Sequence, residues 1–309
     1  MPIVTRRAFI TGVSGFAGRH LAEHLVAEGW SVAGTVRHRS ADVPTVAEHR
    51  LEIDDANGIR AVMAEFQPEV VYHLAAVVDT VTTPDVLALY RANVMGTAAV
   101  FEAVGSVSSV RRVLVASSAF AYGRTPPDLQ PVQETAALEP LTAYGASKVA
   151  SEAIALQWRR ATGVDVVVTR AFQHTGPGHV GNYALADWAE QLASGAHEIR
   201  VGNLDVARDY LDVRDVAAAY HCLAETGQAG GIYNVGSGVP VTMASLLEGL
   251  VEAFGGHARV EVDPTRLRAA DQPVFYADIR RLVADTTWER RFMLQETLQD
   301  LADWWRSRK

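Results

Sequence analysis

The sequence lacks the features that several classes of protein require. A single cysteine, Cys222, among 309 residues excludes an intramolecular disulfide and a thiolate metal cluster, so we expect a reducing compartment and a packed Cys222. No apolar run approaches the roughly 20 residues of a membrane helix. The N-terminal MPIVTRRAFITG lacks the apolar run and the cleavage site of a signal peptide. We therefore expect a cytoplasmic protein.

Positive charge is also scarce. The chain has 28 basic and 36 acidic residues, and its net charge is −8 at pH 7. Such a chain offers no general surface for nucleic acid or for an anionic membrane, so we expect neither partner, and any phosphate must be bound locally. Lysine is rarer still, because all the basic residues except Lys148 and Lys309 are arginines. The chain otherwise uses arginine for its basic residues, so the lysine at position 148 indicates that arginine is not tolerated there.

Short β-branched runs alternate with segments of helical periodicity, which predicts an α/β fold with a doubly wound parallel sheet. The predicted strands are Ala8–Thr11, Ser31–Val36, His49–Ile53, Val70–Leu74, Arg112–Ser117 and Val164–Arg170. The predicted helices are Phe16–Glu28, Asn57–Phe66, Leu87–Val104, Tyr144–Thr162, Tyr183–Gly195, Met243–Phe254 and Leu294–Arg306.

The pattern changes after about residue 171, where glycine-rich loops separate the helices. No Ser/Gly-rich or Pro-rich spacer divides the halves, which favours a smaller lobe folded onto the sheet. We predict a dinucleotide-binding Rossmann domain at residues 1–170 and a C-terminal α/β substrate-binding lobe at 171–309, with 207–236 packing back on the first domain. Ligands in such folds bind beyond the carboxyl ends of the strands, so the lobe would close a cleft there.

A glycine motif, T-G-V-S-G-F-A-G, follows the first strand and opens a helix. Gly12 permits a tight turn, Gly15 lets the backbone approach a pyrophosphate, and Gly18 lets the helix pack on the strand. The N–H groups at this helix start then hold the phosphates without a net positive charge. The predicted cofactor-binding residues of the turn are Gly12, Ser14, Gly15, Phe16, Ala17 and Gly18.

The end of the second strand bears on the choice of cofactor. NAD-binding units usually place an acid there for the ribose 2′-hydroxyl, whereas this chain reads T-V-R-H-R. Arg37 would suit a 2′-phosphate, so we expect NADP(H) to be preferred, with NAD(H) and a merely solvated Arg37 left open. Asp54, just past the third strand, would accept from the adenine amino group or serve as a plain loop residue.

Tyr144 and Lys148 stand four residues apart on a predicted helix, so their side chains share one face. A tyrosine of ordinary pKa is a poor proton donor or acceptor at neutral pH, and we expect the adjacent ammonium to lower the pKa of Tyr144. Ser118 follows the fifth strand, where it could hydrogen-bond a reacting oxygen, while Ser117 is expected to be structural. We predict Ser118, Tyr144 and Lys148 as the catalytic residues.

Three motifs together, T-G-x-x-G-F-x-G, S-S-x-x-x-Y-G and Y-x-x-x-K, resemble the extended short-chain dehydrogenase/reductase family, also called the NAD-dependent epimerase/dehydratase family. Its members modify nucleotide-linked sugars. Three further segments are similar to the branch that reduces GDP-4-keto-6-deoxy-D-mannose. They are R-A-F-Q-H-T-G-P-G from Arg170, V-G-N-L-D-V-A-R-D-Y-L-D-V-R-D from Val201 and L-R-A-A-D-Q-P from Leu267.

The resemblance implies further binding residues. It places Leu74, Ala75 and Ala76 in a turn that lines the cofactor, and it makes Asn93, in the segment N-V-M-G-T, the family's helix asparagine, which is a predicted cofactor residue. It gives Arg208 and Arg268 to the substrate diphosphate, where bidentate guanidinium–phosphate contacts suit arginine. Gln173 stands where the family usually has asparagine, so the substrate contact there is longer. The family also pairs two helices, near Leu87–Val104 and Tyr144–Arg160, into a dimer, so we expect a homodimer.

The segment after Ser118 separates the possible reactions. Related sugar dehydratases carry an acidic residue there, whereas this chain has Ala119-Phe120-Ala121. Dehydration needs a further general acid and base, so it is disfavoured. We expect NADP(H)-dependent reduction of a nucleotide-linked 4-keto-6-deoxyhexose, most simply the GDP-linked mannose series, giving a product such as GDP-D-rhamnose. A 4-epimerase with tightly bound NAD and, more remotely, a non-catalytic cofactor sensor stay open.

Several histidines and tryptophans are given structural interpretations. His20 and His24, four residues apart on the first helix, are interpreted as a solvated face, and we expect no metal site. His174 would either line the substrate side or pack in its loop. Trp304 and Trp305 are expected to serve packing or a subunit contact.

Overall fold

The computed structural model describes residues 6–78, 85–196, 198–267 and 272–308. Its strands are β1 (Arg7–Thr11), β2 (Ser31–Val36), β3 (Ala47–Arg50), β4 (Val70–His73), β5 (Arg112–Ser118), β6 (Asp165–Ala171), β7 (Gln173–Thr175), β8 (Glu198–Val201), β9 (Ala207–Asp212), β10 (Ile232–Val235), β11 (Pro240–Thr242), β12 (Arg259–Val262) and β13 (Val274–Phe275). Its α-helices are α1 (Phe16–Ala27), α2 (Ala56–Phe66), α3 (Val86–Tyr90), α4 (Gly96–Val104), α5 (Ala143–Thr162), α6 (Ala184–Ala193), α7 (Val213–Thr226), α8 (Met243–Ala253), α9 (Arg280–Asp285) and α10 (Leu294–Arg306).

A seven-stranded sheet, in the order β3-β2-β1-β4-β5-β6-β10, forms the centre of the molecule. All its strands are parallel. The order grows in both directions from β1, which makes the sheet doubly wound and confirms the predicted fold class.

Alternate residues of each strand pack on opposite faces of this sheet, as the pleat requires. Phe9, Val113 and Val166 lie in one core with residues of α2, α4 and α5. Ile10 and Leu114 lie in a second core with residues of α1 and α7. Both faces are therefore buried, which explains why these strands read as continuous apolar runs in the sequence.

Two predicted elements differ from the structure. The third strand is Ala47–Arg50 rather than His49–Ile53, because this short edge strand is only half buried and carries no apolar run. The apolar side chains that suggested the later position lie in the following loop, where they pack beneath the helices. The helix predicted at Leu87–Val104 is α3 and α4 joined by a π-helical turn at Arg91–Met95.

The C-terminal half contributes to both parts of the molecule. α7, which was not predicted, packs on α1, and β10 extends the large sheet beside β6. β9 instead joins β7, β11 and β13 in a smaller sheet, and β8 pairs with β12. α6, α8 and α10 enclose a separate apolar core with Trp188 and Leu250, against which Trp305 packs in part. The division of the chain at residue 170 stays a prediction.

Candidate active site

The three predicted catalytic side chains meet where β5 ends. Ser118 is the last residue of β5, while Tyr144 and Lys148 lie one turn apart near the start of α5. Thr142 caps that helix by accepting a hydrogen bond from Gly145 N at 3.0 Å. Lys148 Nζ lies 5.7 Å from the centroid of the Tyr144 ring, and the Ser118 hydroxyl is close enough to lower the pKa of Tyr144. All three side chains are buried.

Burial dominates the electrostatics of this group. It raises the pKa of Tyr144, against the opposing effect of the Ser118 hydrogen bond. Burial also lowers the pKa of Lys148 to about 8, and Lys148 Nζ donates to the carbonyl of Ala116 at 2.7 Å. The predicted lowering of the Tyr144 pKa is thus wrong for the protein alone, because loss of hydration raises this pKa more than the Ser118 hydroxyl lowers it. Tyr144 carries its proton at neutral pH.

The glycine turn joins β1 to α1, and Gly15 in this turn is exposed. Gly12 has a φ of +72°, and a Cβ there would come within 2.8 Å of Ala75 Cα. A Cβ on Gly18 would lie 2.3 Å from the carbonyl oxygen of Gly12, so α1 could not pack this closely with any other residue. Gly15 caps α1 without a side-chain hydrogen bond. Ser14, Phe16 and Ala17 beside it are half buried.

These features fit a pyrophosphate. The first turn of the twelve-residue helix α1 has N–H groups that no capping side chain satisfies, and the positive end of its dipole faces the same place. An anion with several oxygens is the group that such an arrangement binds.

The turn after β4 lies directly beside the glycine turn. The N–H of Ala75 donates to Thr11 Oγ1 at 3.2 Å, and Leu74 and Ala76 flank it. Asn93 fixes the next residue of this segment, because its side chain accepts from Val77 N at 2.7 Å and donates to Val77 O at 3.0 Å. Asn93 also donates to Ser147 Oγ on α5 at 2.9 Å. The predicted cofactor-lining turn is therefore tied to the helix that carries Tyr144 and Lys148.

Arg37 and Asp54 both lie on the surface. Arg37 is exposed directly after β2, the strand that pairs with β1 along its length. Asp54 is exposed in the loop before α2, whose cap is the neighbouring Asp55, accepting from Gly58 N at 2.9 Å. The structure thus leaves both predicted cofactor residues accessible on the side of the sheet where the glycine turn opens.

Two of the predicted substrate residues, Gln173 and Arg208, lie in the smaller sheet. Gln173 on β7 pairs with Tyr210 on β9, two residues from Arg208. Gln173 Oε1 is buried and has no hydrogen-bond partner within the part of the chain that the structure describes. A buried acceptor of this kind points to a group that the chain itself does not supply. Arg268 lies outside the described residues.

Arg208 is held by backbone carbonyls. Its Nη1 donates to Ala207 O at 2.8 Å and to Gln272 O at 2.7 Å. The Gln272 side chain in turn accepts from Thr125 N and donates to Gly123 O, both at 2.8 Å. Gln272 therefore joins the Arg208 strand to the loop that follows Ser118, a connection that sequence reasoning missed.

The histidine face of α1 is not solvated, so that interpretation is wrong. His20 Nε2 hydrogen-bonds the carbonyl of Pro177 at 2.8 Å, and His24 hydrogen-bonds His221 of α7 at 3.0 Å. The ring of Phe16 stacks on His174 and on His179, with centroids 5.8 and 4.7 Å apart. The error follows from the unpredicted α7 and from the loop after β7, which cover this face. His174, the middle residue of β7, packs against Phe16, and burial lowers its pKa.

Sequence reasoning also missed a buried polar pair beneath the glycine turn. Thr11 Oγ1 and His73 Nδ1 form a hydrogen bond of 2.8 Å, and His73 Nε2 bonds Thr97 Oγ1 at 3.0 Å. Burial, assisted by the charge of Lys148, lowers the pKa of His73 to about 3. The available signal was a polar residue at the end of each of two neighbouring apolar strands.

Among residues 6–78, 85–196, 198–267 and 272–308, no group of three or more His, Cys, Asp or Glu is placed to hold a metal ion. No helix in these ranges is both long enough and apolar enough to cross a membrane.

Comparison with known proteins identifies relatives along almost the whole chain. The model of the NAD dependent epimerase/dehydratase family matches residues 8–236. The GDP-6-deoxy-D-mannose reductase of Pseudomonas aeruginosa is 31% identical over 315 residues, which cover 99% of each protein. The UDP-glucose 4-epimerase of Mycolicibacterium smegmatis is 30% identical over 328 residues, covering 98% of this chain and 99% of that protein.

A solved structure agrees with this result. The structure of RMD from Pseudomonas aeruginosa complexed with NADPH matches with a TM-score of 0.87 and 31% identity, covering 99% of this chain and 100% of that chain. The predicted family and the prediction of an NAD(P)-dependent enzyme are confirmed. With its doubly wound sheet, glycine turn and Ser118–Tyr144–Lys148 group, the protein belongs to the NAD dependent epimerase/dehydratase family.

Proposed function

We propose that the protein is an NADP(H)-preferring reductase of the 4-keto group of a nucleotide-linked 4-keto-6-deoxyhexose, with the GDP-linked mannose series as substrate. The observation that carries this proposal is the meeting of buried Ser118, Tyr144 and Lys148 at the end of β5, with the Lys148 ammonium 5.7 Å from the centroid of the Tyr144 ring. The similarity to a GDP-6-deoxy-D-mannose reductase over the full length supports the substrate class.

Each side chain has a role that its position supports. When bound, the reduced nicotinamide supplies a hydride to carbon 4 of the sugar. Tyr144 holds a proton at neutral pH and donates it to the substrate carbonyl oxygen, which Ser118 Oγ orients by hydrogen bonding. Lys148 holds a positive charge below about pH 8, where it stabilises the developing phenolate and can donate to a ribose hydroxyl.

The turn after Ser118 favours reduction over dehydration. Residues Ala119–Ala121 form a single 3-10 turn without an acidic side chain. Elimination of water would need a second acid or base at that place, whereas ketone reduction needs only the tyrosine.

The proposed binding residues divide between the two partners of the reaction. The cofactor would lie on the glycine turn, on Leu74, Ala75 and Ala76, and near Asn93 and Asp54, with Arg37 on a 2′-phosphate. The substrate diphosphate would lie on Arg208 and Arg268, and the sugar would meet the unpartnered oxygen of Gln173.

Arg37 offers a direct test of the cofactor preference. In Arg37→Ala, the dissociation constant of NADPH should rise by about tenfold, whereas that of NADH should stay unchanged, because a single charge-assisted contact to phosphate is lost. Arg39→Ala, which removes a second exposed arginine of the same loop, is the matched control. Equal effects of Arg37→Ala on NADPH and NADH would contradict the assignment.

A homodimer is proposed on the exposed apolar side chains of the helices that the family pairs. Leu87 is 79% exposed and Met95 is 59% exposed. Leu87→Glu should give a monomer in analytical ultracentrifugation, and Leu267→Glu, at another exposed leucine, should not.

The decisive assay is incubation with NADPH and GDP-4-keto-6-deoxymannose. We expect stoichiometric NADPH oxidation and a GDP-6-deoxyhexose identified by mass spectrometry. No oxidation, with a competent reductase alongside, would contradict the proposal.

The 30% identity to a UDP-glucose 4-epimerase supports a second candidate, a 4-epimerase that retains its cofactor. If this protein is such an epimerase, it would purify with bound NAD and would absorb at the reduced-nicotinamide band after the sugar is added. It would show no net oxidation of NADPH. A cofactor sensor without catalysis would instead keep its cellular function in Tyr144→Phe.

A further inference from the structure

Glu152 lies on α5 one turn beyond Lys148 and is buried against Arg170, the penultimate residue of β6. Their side chains are only 4% and 3% exposed. Arg170 Nε donates to Glu152 Oε1 at 3.0 Å and Arg170 Nη2 donates to Oε2 at 2.7 Å. The Ser117 hydroxyl also donates to Oε1. Both carboxylate oxygens are therefore used.

Three successive turns of α5 hold three consecutive residues of β5. Tyr144 lies beside Ser118, whose hydroxyl lowers its pKa, Lys148 donates to the Ala116 carbonyl, and Glu152 accepts from Ser117. The first two contacts belong to the catalytic group. The third fixes the residue between them, so Glu152 controls the position of the strand end to which both catalytic side chains bond.

Glu152 is also the negative charge that acts on Lys148. Burial lowers the pKa of Lys148 to about 8, and the Glu152 carboxylate acts in the opposite direction. From β4, neutral His73 faces Lys148, and from α5 itself the protonated Tyr144 does. Arg170, from β6, faces Glu152 on its far side. Among these groups, Glu152 is the one that favours the charged ammonium.

We infer that Glu152 is a positioning residue that, held by Arg170 and bonded to Ser117, fixes the end of β5 in the place where Tyr144 and Ser118 meet and places its carboxylate one helical turn from Lys148. The inference rests on the proposed function for its effect on turnover. Its effect on Lys148 does not depend on any substrate.

An ion pair between β5 and β6, the strands that carry Ser117 and Arg170, provides a matched control. Arg112 and Asp165 are register partners at the amino ends of β5 and β6, just as Ser117 and Arg170 are register partners at the carboxyl ends. Arg112 Nε donates to Asp165 Oδ2 at 2.8 Å. If Glu152 acted only as part of a structural ion pair, loss of the Glu152 carboxylate and loss of the Asp165 carboxylate should affect Lys148 in the same way.

The rarity of lysine makes the test direct. The chain has two lysines, Lys148 and Lys309, so protein labelled with 13C or 15N at lysine gives two side-chain NMR signals, and Lys309→Arg assigns them. We expect Lys148 to titrate with a midpoint near pH 8. In Glu152→Gln the midpoint should fall by about one pH unit, because the variant loses a negative charge that raises the pKa of Lys148. A nearby opposite charge shifts a pKa by about one to three units. In Asp165→Asn it should not move.

Glu152→Gln leaves a buried guanidinium without its carboxylate, so the variant could fail to fold. The double variant Glu152→Gln with Arg170→Gln removes both charges and should recover the melting temperature, while the Lys148 midpoint stays low. If the double variant recovered the Lys148 midpoint together with its stability, the inference would be overturned. An unchanged midpoint in folded Glu152→Gln would overturn it as well.

In an active enzyme, the basic limb of the pH profile of kcat/KM should shift with the Lys148 midpoint. Lack of activity in the wild type would instead contradict the proposed function and leave the titration valid.

Discussion

The two edges of the seven-stranded sheet carry ion pairs of different kinds. At the edge where the strands begin, Arg112 pairs with Asp165 with side chains 17% and 23% exposed, and Arg111 pairs with Glu69 with 66% and 24% exposed. At the edge where the strands end, the Arg170–Glu152 pair is almost fully buried. The buried polar group around it includes His73, Ser118, Tyr144 and Lys148.

The difference follows from the energetics of charge. A partly exposed pair keeps part of its hydration in the folded state. It contributes about 0–1 kcal/mol to the free energy of unfolding. A fully buried pair loses its hydration, which costs about as much as its attraction returns, so it contributes little to stability as a whole. The edge where all the parallel strands end is where such folds bind ligands. We infer that buried charge is retained there for chemistry, whereas the other edge serves stability alone.

The largest expected effect lies at the ligand-binding edge. Tyr144→Phe removes the proton donor, so the turnover number for NADPH oxidation should fall by about 10²–10⁴-fold. The ring and its buried contacts remain, so the melting temperature should change little. Comparable loss of activity in Asp165→Asn, at the other edge, would break the distinction between the edges.

Acid should destabilise the protein through the same edge. The unfolded chain binds a proton at His73 below about pH 6.5, whereas the folded chain does so only below about pH 3, so the contribution of His73 to stability is complete above pH 6.5 and is lost as the pH falls towards 3. This loss is on the order of 4 kcal/mol across the window. His73→Gln should flatten the dependence of the unfolding free energy on pH, measured by urea titration. Exposed His257→Gln should leave the dependence as it is.

Two glycines sharpen the comparison at the level of the backbone. Gly18→Ala places a methyl group 2.3 Å from the Gly12 carbonyl, which should cost about 1–3 kcal/mol and weaken NADPH binding measured by fluorescence. Gly29, before β2 at the other edge, has a φ of +79° and no atom near its Cβ position. Gly29→Ala should cost about 1 kcal/mol through backbone strain alone and leave NADPH affinity unchanged. Weaker NADPH binding in Gly29→Ala would contradict this division.

The smallest effect on stability and activity is expected from a substitution at the edge where the strands begin. Asp165→Asn should lower the unfolding free energy by about 1 kcal/mol or less and leave the activity and the NADPH affinity unchanged. Chemical denaturation in low and in 0.5 M salt would measure it. A loss that disappears in high salt supports a surface pair, whereas a large loss that salt does not affect would place Asp165 in the class of Glu152.

The parts of the site that were predicted depend on residues close together in the chain. The glycines of the first turn and the four-residue spacing of Tyr144 and Lys148 set local geometry, because a turn or one face of a helix forms within a few residues. The family, the fold class and the use of a nicotinamide cofactor follow from these patterns. The NADP preference, the GDP-linked substrate, the homodimer and the cytoplasmic location stay predictions.

The parts that were missed depend on contacts between distant segments. His20 meets Pro177, Arg208 meets Gln272, and Glu152 meets Arg170 only after separate elements pack together. The predicted direction of the Tyr144 pKa shift was wrong for the same reason. Helical spacing shows which charge is near, but it does not show how much water is removed from the side chain.

The sequence alone determined the order of the strands and helices as far as β6, the glycine turn and the identity of the one interior lysine, since each is a property of neighbouring residues. The tertiary structure decided the protonation of Tyr144, the reduced basicity of Lys148 and the buried carboxylate that acts on it. Burial and distance set these properties, and both exist only when the strands and helices have assembled.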